Sequence, residues 1–349
     1  MPQKDSTSDD ADYRWLDWIE LSWERYYPNG RRHSSPLTES RRKTVPIDAE
    51  IVKRPLRTLR AWPPLNHVVT STCRASMNRL GRDPGLLARY LPRAGLVEAT
   101  LPDGRLLRLW SRADDDVTPQ VYWKGWAGHE TETSRLFFDC ARSARTTVDI
   151  GAHIGYFALL AAHANPNGYV YAFEPHPMVY ERLARNGVLN GLANLSCQQT
   201  AVGRRKGKAQ FFHGKQISSS SSLSQEFMES IVDPSRLISS QVDVISLDEF
   251  VEFNAVHDVD LIKVDTETTE DAVFQGMARL LERDKPVIFC EILKQTTGEA
   301  IEQILSSVGY RYFLLTQGGA MKCEHVRPDP LWRNHCFVPD SRPVPWEVQ

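Results

Sequence analysis

The stretch "TTVDIGAHIGYFALLAAHANPNGYVYAFEP", residues 146–175, decides the fold of this chain. An apolar strand leads into Asp149, and Gly151 and Gly155 follow it, four residues apart. An apolar helix comes next, and then a second strand that ends at Glu174. In open α/β sheets, ligands bind beyond the carboxyl ends of the strands, next to turns of this kind. We therefore predict that a nucleoside-like ligand binds at this turn.

Strands and helices alternate on the carboxyl-terminal side of this unit. Such alternation predicts an α/β fold, a doubly wound, mostly parallel, seven-stranded sheet with helices on both faces. Residues 208–214 read as a further strand at the periphery. The predicted strands are 146–150, 169–174, 195–199, 259–265, 286–291, 311–316 and 334–338, and the predicted helices are 130–143, 154–164, 177–190, 247–254, 269–283 and 298–308.

The first 114 residues differ in pattern and predict an accessory region before a second domain, 115–349. Residues 1–12 read as disordered, 31–64 as a basic linker, 65–95 as helical with a break near Gly81, and 96–111 as a hairpin. A Trp-rich helix is predicted at 13–27, and it would dock on the body of the protein or form a homodimer. The five serines of 218–222 predict a flexible loop or, alternatively, a mobile lid.

Composition narrows the class of protein. The chain has 349 residues, 41% hydrophobic and 25% charged, with a formal net charge of −2, which argues against bulk binding of nucleic acid. Its six cysteines form no C-x-x-C pair, which indicates free thiols in a reducing compartment. No apolar run is long enough to span a bilayer, and the polar start is unlike a secretory signal. We expect a cytoplasmic protein.

The chemistry of the glycine turn indicates the ligand. Dinucleotide folds need G-x-G-x-x-G so that the pyrophosphate can approach the helix, whereas here the spacing is G-x-x-x-G with His153 inside it. The carboxylate of Asp149 would repel a pyrophosphate and attract a cation. S-adenosylmethionine carries an ammonium and a sulfonium group and no phosphate. Glu174, before Pro175, is placed to bind ribose hydroxyls, although a carboxylate there also suits a helix start.

Five blocks in order resemble those of FkbM-type methyltransferases. The blocks are "VDIGAHIGYFALLA", "YVYAFEPHP", "NGLANLSCQQTAVG", "VDVISLDEF" and "VDLIKVDTETTEDAVFQGM…KPVIFCEI". The family consists of S-adenosylmethionine-dependent enzymes with a class I, Rossmann-like fold, and the resemblance covers roughly residues 115–340. Residues 1–114 show no such match.

The resemblance implies roles for individual residues. In the implied cofactor site, the loop at the methionine end consists of Asp149, Gly151, His153 and Gly155. Glu174 would bind the ribose, next to Pro175, and Thr200 and Ala201 would lie at the edge of the adenine. Asp265 would lie beside the sulfonium. Glu267 and Glu270 match the acidic block of the family, and Glu291 matches the acid that ends its fifth strand.

The sequence departs from the family pattern at two positions. His153 replaces the usual Asn, and its side chain still allows hydrogen bonding. Thr268 replaces the usual Gly in "DTETTE", and a β-branched residue does not easily adopt a positive φ. We therefore expect a different turn shape there and an altered acceptor pocket.

Methyl transfer requires alignment of an acceptor with the methyl group, and a hydroxyl acceptor also benefits from a general base. Asp265, Glu267 and Glu291 are the catalytic candidates, with His176 and His213 as further bases nearby. Three alternatives stay open. Glu267 and Glu270 suit the first turn of a helix, and Glu291 is within reach of a pair with Lys263 or Lys294. The acids together would also suit a divalent cation, although no diagnostic metal spacing is present and we predict none.

We predict S-adenosylmethionine-dependent O-methylation of a hydroxyl or carboxyl group on a small molecule, such as a natural product or a sugar. One alternative is a nucleotide-dependent oxidoreductase or epimerase, which the absence of G-x-G-x-x-G disfavours. Another is a non-catalytic partner protein with the same fold, for which the altered "DTETTE" is the argument. Nucleic-acid methylation is disfavoured because the body lacks a basic stripe interleaved with aromatic residues.

Overall fold

The computed structural model describes residues 63–85, 91–214 and 221–346. The chain divides between Ala61 and Trp62, so all described residues belong to one compact unit, Trp62–Gln349. The predicted disorder at 1–12, the Trp-rich helix at 13–27, nearly all of the linker and the serines at 218–220 lie outside the described residues. The domain boundary predicted at residue 114 stays a prediction.

The elements are numbered here in chain order. The strands are β1 (Gly95–Thr100), β2 (Leu106–Ser111), β3 (Thr146–Ile150), β4 (Tyr169–Phe173), β5 (Leu195–Gln198), β6 (Ala201–Val202), β7 (Gly207–Gly214), β8 (Ser221–Ser222), β9 (Leu237–Ile245), β10 (Val259–Val264), β11 (Val287–Glu291), β12 (Tyr310–Thr316), β13 (Gly319–Cys323) and β14 (Asn334–Pro339). The α-helices are α1 (Pro63–Leu80), α2 (Val117–Lys124), α3 (Thr131–Ala141), α4 (Tyr156–Ala164), α5 (Pro177–Leu189), α6 (Gln225–Ile231), α7 (Leu247–Phe253), α8 (Glu270–Gln275), α9 (Ala278–Asp284) and α10 (Gln295–Val308).

The central sheet has eight strands in the order β13-β12-β14-β11-β10-β3-β4-β5. The five strands from β11 to β5 are mutually parallel, and β14 runs antiparallel to both β11 and β12. The strand order reverses between β3 and β10, the point at which α/β sheets bind their ligands. The predicted doubly wound sheet is confirmed, and the short antiparallel strand β13 adds one strand to the predicted seven.

Burial explains why these strands could be read from the sequence. The side chains of β3 are all buried, as are all but one in each of β10 and β11, because helices cover both faces of the sheet. The predicted helix 269–283 is instead two helices, α8 and α9. Between them lies Gly276, where a Cβ would be 2.1 Å from the carbonyl oxygen of Gly203, so only glycine fits at this position.

A second sheet was not predicted as such. It has the order β6-β9-β7-β8 and is inserted between β5 and α7, and its long hairpin partner β9 was missed. The strand predicted at 208–214 is confirmed as β7. Within the predicted loop or lid, Ser221 and Ser222 instead form β8, which pairs with Phe212 and His213.

The amino-terminal part of the described chain packs on the central sheet. The hairpin β1–β2 forms around Asp103 and Gly104 as predicted. Helix α1 starts at Pro63, inside the predicted linker, and ends before Gly81, so the prediction of helix up to 95 is wrong for residues 91–94. The hairpin docks on α5, because the Trp110 amide donates to Asn186 Oδ1 at 2.8 Å. None of the described helices combines the length and apolar composition that crossing a lipid bilayer requires.

Candidate active site at the carboxyl edge of the central sheet

The glycine turn after β3 lies in close contact with the neighbouring strand. Gly151 has a φ of 78°, and a Cβ there would lie 1.8 Å from the carbonyl oxygen of Asp265. The amides of Gly151 and Ala152 both donate to the Phe173 carbonyl, at 3.0 and 2.9 Å, and the Asp265 amide donates to Ile150 at 2.9 Å. The turn therefore joins the ends of β3, β4 and β10, and only glycine fits its first position.

Gly155 begins helix α4 with a φ of 91°. A Cβ there would meet Leu183 Cδ1 of α5 at 2.5 Å, and Asn186 Nδ2 of the same helix donates to the Ile154 carbonyl at 2.8 Å. Both glycines thus have the structural roles that the sequence predicts, a tight turn and close helix packing. Their contact with a cofactor stays a prediction.

Asp149 lies behind this turn and is 1% exposed. Burial raises the pKa of its carboxyl group to about 7, Lys263 opposes that effect, and Asp265 adds to it. Its Oδ2 atom is buried without a hydrogen-bond partner among the described residues. This carboxylate is therefore an orphaned acceptor at the place where a cationic ligand was predicted.

Glu174 connects the two loops that follow β3 and β4. Its Oε2 accepts from the His153 amide at 3.0 Å and its Oε1 from the His176 amide, just beyond Pro175, at 2.8 Å. Burial raises the pKa of Glu174 to about 7, and the two amides oppose that rise. His153 adopts the left-handed conformation, with a φ of 50°, so that its amide can reach this carboxylate. Sequence reasoning did not foresee this bridging role.

Two histidines near the site, His153 and His176, are neutral at pH 7. Burial lowers the pKa of His153 to about 3 and that of His176 to about 4. The rings of His176 and His213 lie 4.5 Å apart, edge to face, where β7 meets the start of α5. His153 Nε2 and His176 Nδ1 are buried without hydrogen-bond partners among the described residues. The two neutral rings can accept hydrogen bonds from a ligand but cannot contribute positive charge.

Lys263 is a fully buried cation near the carboxyl end of β10. Its Nζ donates to Asp265 Oδ2 at 2.9 Å and lies 4.9 Å from the centre of the Phe157 ring. Burial favours the neutral amine, but the charges of Asp265, Glu130 and Glu291 outweigh it and raise the pKa of Lys263. Asp265 thus stands at the sheet edge as one half of an ion pair, with its side chain 28% exposed.

Glu291 ends β11 at the same edge. Burial, together with the charges of Asp265, Glu267 and Glu130, raises its pKa well above the ordinary value, while Arg333 opposes that rise from 3.9 Å. The alternative of an ion pair with Lys294 is wrong, because Lys294 lies 3.2 Å from Glu226 instead. Burial and the neighbouring negative charges thus favour the protonated form of Glu291.

The turn "DTETTE" keeps a glycine-like backbone despite its threonine. Thr268 has a φ of 81° and Glu267 a φ of 56°, so the expectation that a β-branched residue would change the turn is wrong. The reason is Glu270, which is fully buried and accepts from the Thr266 and Thr268 amides at 3.1 and 3.0 Å. Glu270 therefore has the structural role of a helix-start carboxylate, and burial raises its pKa to about 7.

The second sheet holds this turn from the other side. Ser222 Oγ donates to the Glu267 carbonyl at 2.6 Å, which ties β8 to the end of β10. The predicted adenine-edge residues also lie where the two sheets meet. Thr200 Oγ1 donates to the Asp243 carbonyl at 2.9 Å, and Ala201 is buried in β6 opposite Val244.

Sequence reasoning missed one acid at the edge, Glu130. It precedes α3 with a φ of 43° and a ψ of 58°, and its Oε2 is buried without a hydrogen-bond partner among the described residues. Its charge raises the pKa of Asp149, Lys263 and Glu291, which places it beside the central acids. A glutamate before a helix is common, so only the two polar residues on either side, in "GHETE", offered a weak signal.

The acidic and histidine side chains at this edge could in principle bind a metal ion or an organic cation. Within the described ranges, no group of three or more His, Cys, Asp or Glu residues could hold a metal ion. An organic cation fits better, because Asp149 Oδ2 and Glu130 Oε2 are buried acceptors without a hydrogen-bond partner among the described residues. All six cysteines are free, and the two in the sheet core, Cys290 and Cys336, are buried.

A doubly wound sheet with a glycine turn and acids at its switch point defines a Rossmann-like fold of the methyltransferase type. Residues 149–312 match the methyltransferase FkbM domain. The resemblance to FkbM-type methyltransferases inferred from the sequence is therefore confirmed.

The chain is also similar to solved methyltransferase structures. One is methyltransferase FkbM from Methylobacillus flagellatus KT, with 17% identity over 56% of this chain and 44% of that chain, and a TM-score of 0.37. Another is precorrin-6y C5,15-methyltransferase from Geobacter metallireducens GS-15, with 13% identity over 60% and 88% of the two chains, and a TM-score of 0.35. A third is an O-methyltransferase from Thermotoga maritima, with 9% identity over 62% and 67%, and a TM-score of 0.34. No curated protein sequence is significantly similar to this chain.

Proposed function

We propose that this protein is an S-adenosylmethionine-dependent methyltransferase that methylates a hydroxyl or carboxyl oxygen of a small molecule. The observation that carries this proposal is the excess of carboxylates over cations at the switch point of an FkbM methyltransferase domain. Four acids influence one another there, Asp149, Asp265, Glu291 and Glu130. The opposing cations near them are Lys263 and Arg333.

This imbalance favours a cationic ligand. Buried carboxylates without a matching cation keep their protons, which is the cause of the raised pKa of Asp149. S-adenosylmethionine, when bound, supplies a methyl group on a positively charged sulfur. Its two positive charges would allow the acids at this edge to ionise, and so the ligand and the site stabilise each other.

Glu174 supports binding of the ribose. Each of its oxygens accepts one backbone amide, and a carboxylate oxygen has room for a second donor. The two amides hold the carboxylate in place before any ligand arrives, which lowers the entropy lost on binding. Glu174 is thus proposed to accept from the ribose hydroxyls while it keeps its link between the loops.

Glu291 is proposed as the general base for the acceptor. A catalytic base works best when its pKa lies near the working pH, and burial raises that of Glu291 from the ordinary range. Asp265 is less available to an acceptor because its Oδ2 already accepts from Lys263 Nζ at 2.9 Å. We propose that Asp265 instead faces the sulfonium, and that Glu267, held through its carbonyl by Ser222, shapes the acceptor side.

Calorimetry with the full chain tests the cofactor assignment. We expect saturable binding of S-adenosylmethionine, weakened about 10-fold or more by Asp149→Asn and by Glu174→Gln, because each removes a charged acceptor. Glu229→Gln is the matched control, since that glutamate lies on α6 in contact with Gln225. NAD(H) should not bind, and binding of NAD(H) would favour the oxidoreductase alternative. Full affinity in both site variants would contradict the proposed site.

Turnover is tested by release of S-adenosylhomocysteine with a panel of hydroxyl-bearing and carboxyl-bearing small molecules. Glu291→Gln should lower the turnover about 100-fold or more, with a much smaller loss of cofactor affinity than Asp149→Asn causes. Cofactor binding without turnover on any acceptor would favour the non-catalytic alternative.

We further propose that residues 115–349 are the catalytic domain, that residues 1–114 assist it or form a dimer, and that the protein works in the cytoplasm.

A further inference from the structure

The loop before α3, residues 125–130, is held against the first turn of α4. A Cβ on Gly128 would lie 2.3 Å from the Gln120 carbonyl oxygen, so this loop packs directly on the backbone of α2. The ring of His129 contacts that of Tyr156 edge to face, with 5.4 Å between their centres. Tyr156 Oη in turn donates to Ser134 Oγ of α3 at 3.0 Å. The loop therefore has a fixed position beside the glycine turn.

Glu130 ends this loop with its carboxylate at the acidic edge. Its Oε1 lies 3.8 Å from His129 Nε2, whereas its Oε2 is buried without a hydrogen-bond partner among the described residues. Asp149, 1% exposed, leaves a second orphaned oxygen close by. Lys263 does not supply the missing donor: its Nζ donates to Asp265, and neither orphaned oxygen has a hydrogen-bond partner among the described residues. Two unpartnered carboxylate oxygens of the described chain thus lie beside the same turn.

We propose that the Glu130 carboxylate binds the α-ammonium group of the methionine moiety of S-adenosylmethionine. This inference rests on the proposed function and adds a binding residue from outside the matched domain, 149–312. An ammonium group has three donors and carries the charge that an orphaned carboxylate lacks. The left-handed backbone of Glu130 holds the side chain at this edge before the ligand binds.

The position of the loop favours the ammonium over the acceptor as the partner of Glu130. Its anchor is Tyr156, the first residue of α4, directly after the turn assigned to the methionine end. The candidate acceptor residues lie further along the sheet edge, at Glu291 on β11 and at Glu267 beside β8. Glu130 therefore belongs to the methionine end of the cofactor site.

The experiment compares three ligands that differ in the amino-acid chain and in the charge on sulfur. The full chain is titrated calorimetrically with S-adenosylmethionine, with S-adenosylhomocysteine, which keeps the amino-acid chain on an uncharged sulfur, and with 5′-methylthioadenosine, which has an uncharged sulfur and no amino-acid chain. Glu130→Gln should weaken the binding of S-adenosylmethionine and of S-adenosylhomocysteine about 10-fold to 100-fold and leave the affinity for 5′-methylthioadenosine unchanged. Glu132→Gln is the control, because that side chain lies on the adjoining helix α3 and pairs with Arg135 at 3.9 Å.

Each outcome has one meaning. An equal loss of affinity for all three ligands would show that Glu130 only maintains the loop. A loss confined to S-adenosylmethionine would show that Glu130 faces the charged sulfur, and an unchanged affinity for all three ligands would show that it contacts no part of the cofactor. Any of these results overturns the inference. The melting temperature of ligand-free Glu130→Gln verifies that the variant folds. If the unaltered protein binds no S-adenosylmethionine at all, the proposed function itself fails, which is a separate result.

Discussion

Replacing Gly151 with alanine tests the central geometric feature of the site. At a φ of 78°, an alanine is strained by about 1–2 kcal/mol through its backbone alone. Its Cβ would also lie 1.8 Å from the carbonyl oxygen of Asp265, a backbone atom that no rotamer change can move. The ends of β3 and β10 must separate by about 1 Å, and overpacking of this kind costs about 1–3 kcal/mol more.

Two other glycines provide controls that separate these contributions. Gly104 has a φ of 85° in the β1–β2 turn, and a Cβ added there would have no atom within 4 Å, so Gly104→Ala tests the backbone strain alone. Gly155 has a φ of 91°, and its Cβ would meet only the flexible end of Leu183, at 2.5 Å. We expect stability losses in the order Gly151, Gly155, Gly104, from about 3–5 kcal/mol down to about 1–2 kcal/mol.

The assay is urea denaturation of the three variants, followed by calorimetry with S-adenosylmethionine. Gly151→Ala should show no measurable cofactor binding under conditions in which the urea curve shows that the variant is folded. Gly104→Ala should bind the cofactor as the unaltered protein does. Equal stability losses for Gly151→Ala and Gly104→Ala would refute the reasoning, because they would mean that β3 and β10 do not approach each other as described.

Three further predictions concern the charges and the strained turn. Lys263→Met should destabilise the fold by about 3–5 kcal/mol, because it leaves buried acids without their cation, whereas Lys208→Met in an exposed ion pair should cost less than about 1 kcal/mol in the same urea assay. Thr268→Gly should raise stability by up to about 1 kcal/mol, since it relieves a φ of 81°, and a lower melting temperature would contradict this. The affinity for S-adenosylmethionine should rise between about pH 5.5 and pH 7, because Asp149, with a pKa of about 7, must lose its proton to face a cation, whereas 5′-methylthioadenosine, which would meet Glu174 but lacks a positive charge, should show a smaller rise over that range.

The central sheet could be predicted because its strands are buried on both faces. Strands such as β10 and β11 then read as short apolar runs between helices, and their ends could be placed within about two residues. The second sheet was harder, because its long strand β9 is mostly half-buried or exposed and lacks a clear apolar pattern. The extra edge strand β13 has only one buried side chain, so the sequence carries no strong signal for it.

Part of the site followed from position alone. In a parallel sheet the carboxyl ends of neighbouring strands meet, so Asp149, Glu174, Asp265 and Glu291 could be brought together from their places at strand ends. Glu130 could not, because it comes from a loop before the sheet, and its approach depends on packing between α2 and α4. Position along the sequence gives no indication of such a contact.

Thr268 shows the opposite limitation, a local rule overruled by its surroundings. Intrinsic preference argues against a positive φ for a β-branched residue, but the strain of about 1–3 kcal/mol is small beside the interactions that fix the turn. Glu270 accepts from two amides within it, and Ser222 donates to its Glu267 carbonyl at 2.6 Å. The contact with Ser222 cannot be inferred from the residues of the turn, because it comes from the second sheet.

The same physical cause connects the sequence argument for a cation with the charges in the folded protein. A carboxylate in the glycine turn disfavours pyrophosphate because like charges repel, and that repulsion is strong where water is excluded. Exclusion of water also raises the pKa of Asp149 and Glu174 to about 7, so the ligand-free edge carries protons that it would lose to a cation. A site of this kind distinguishes a cationic ligand from an anionic nucleotide mainly by charge. The anionic nucleotide would have to approach acids that already resist ionisation. The buried acids thus destabilise the free protein and favour the cationic cofactor for one reason.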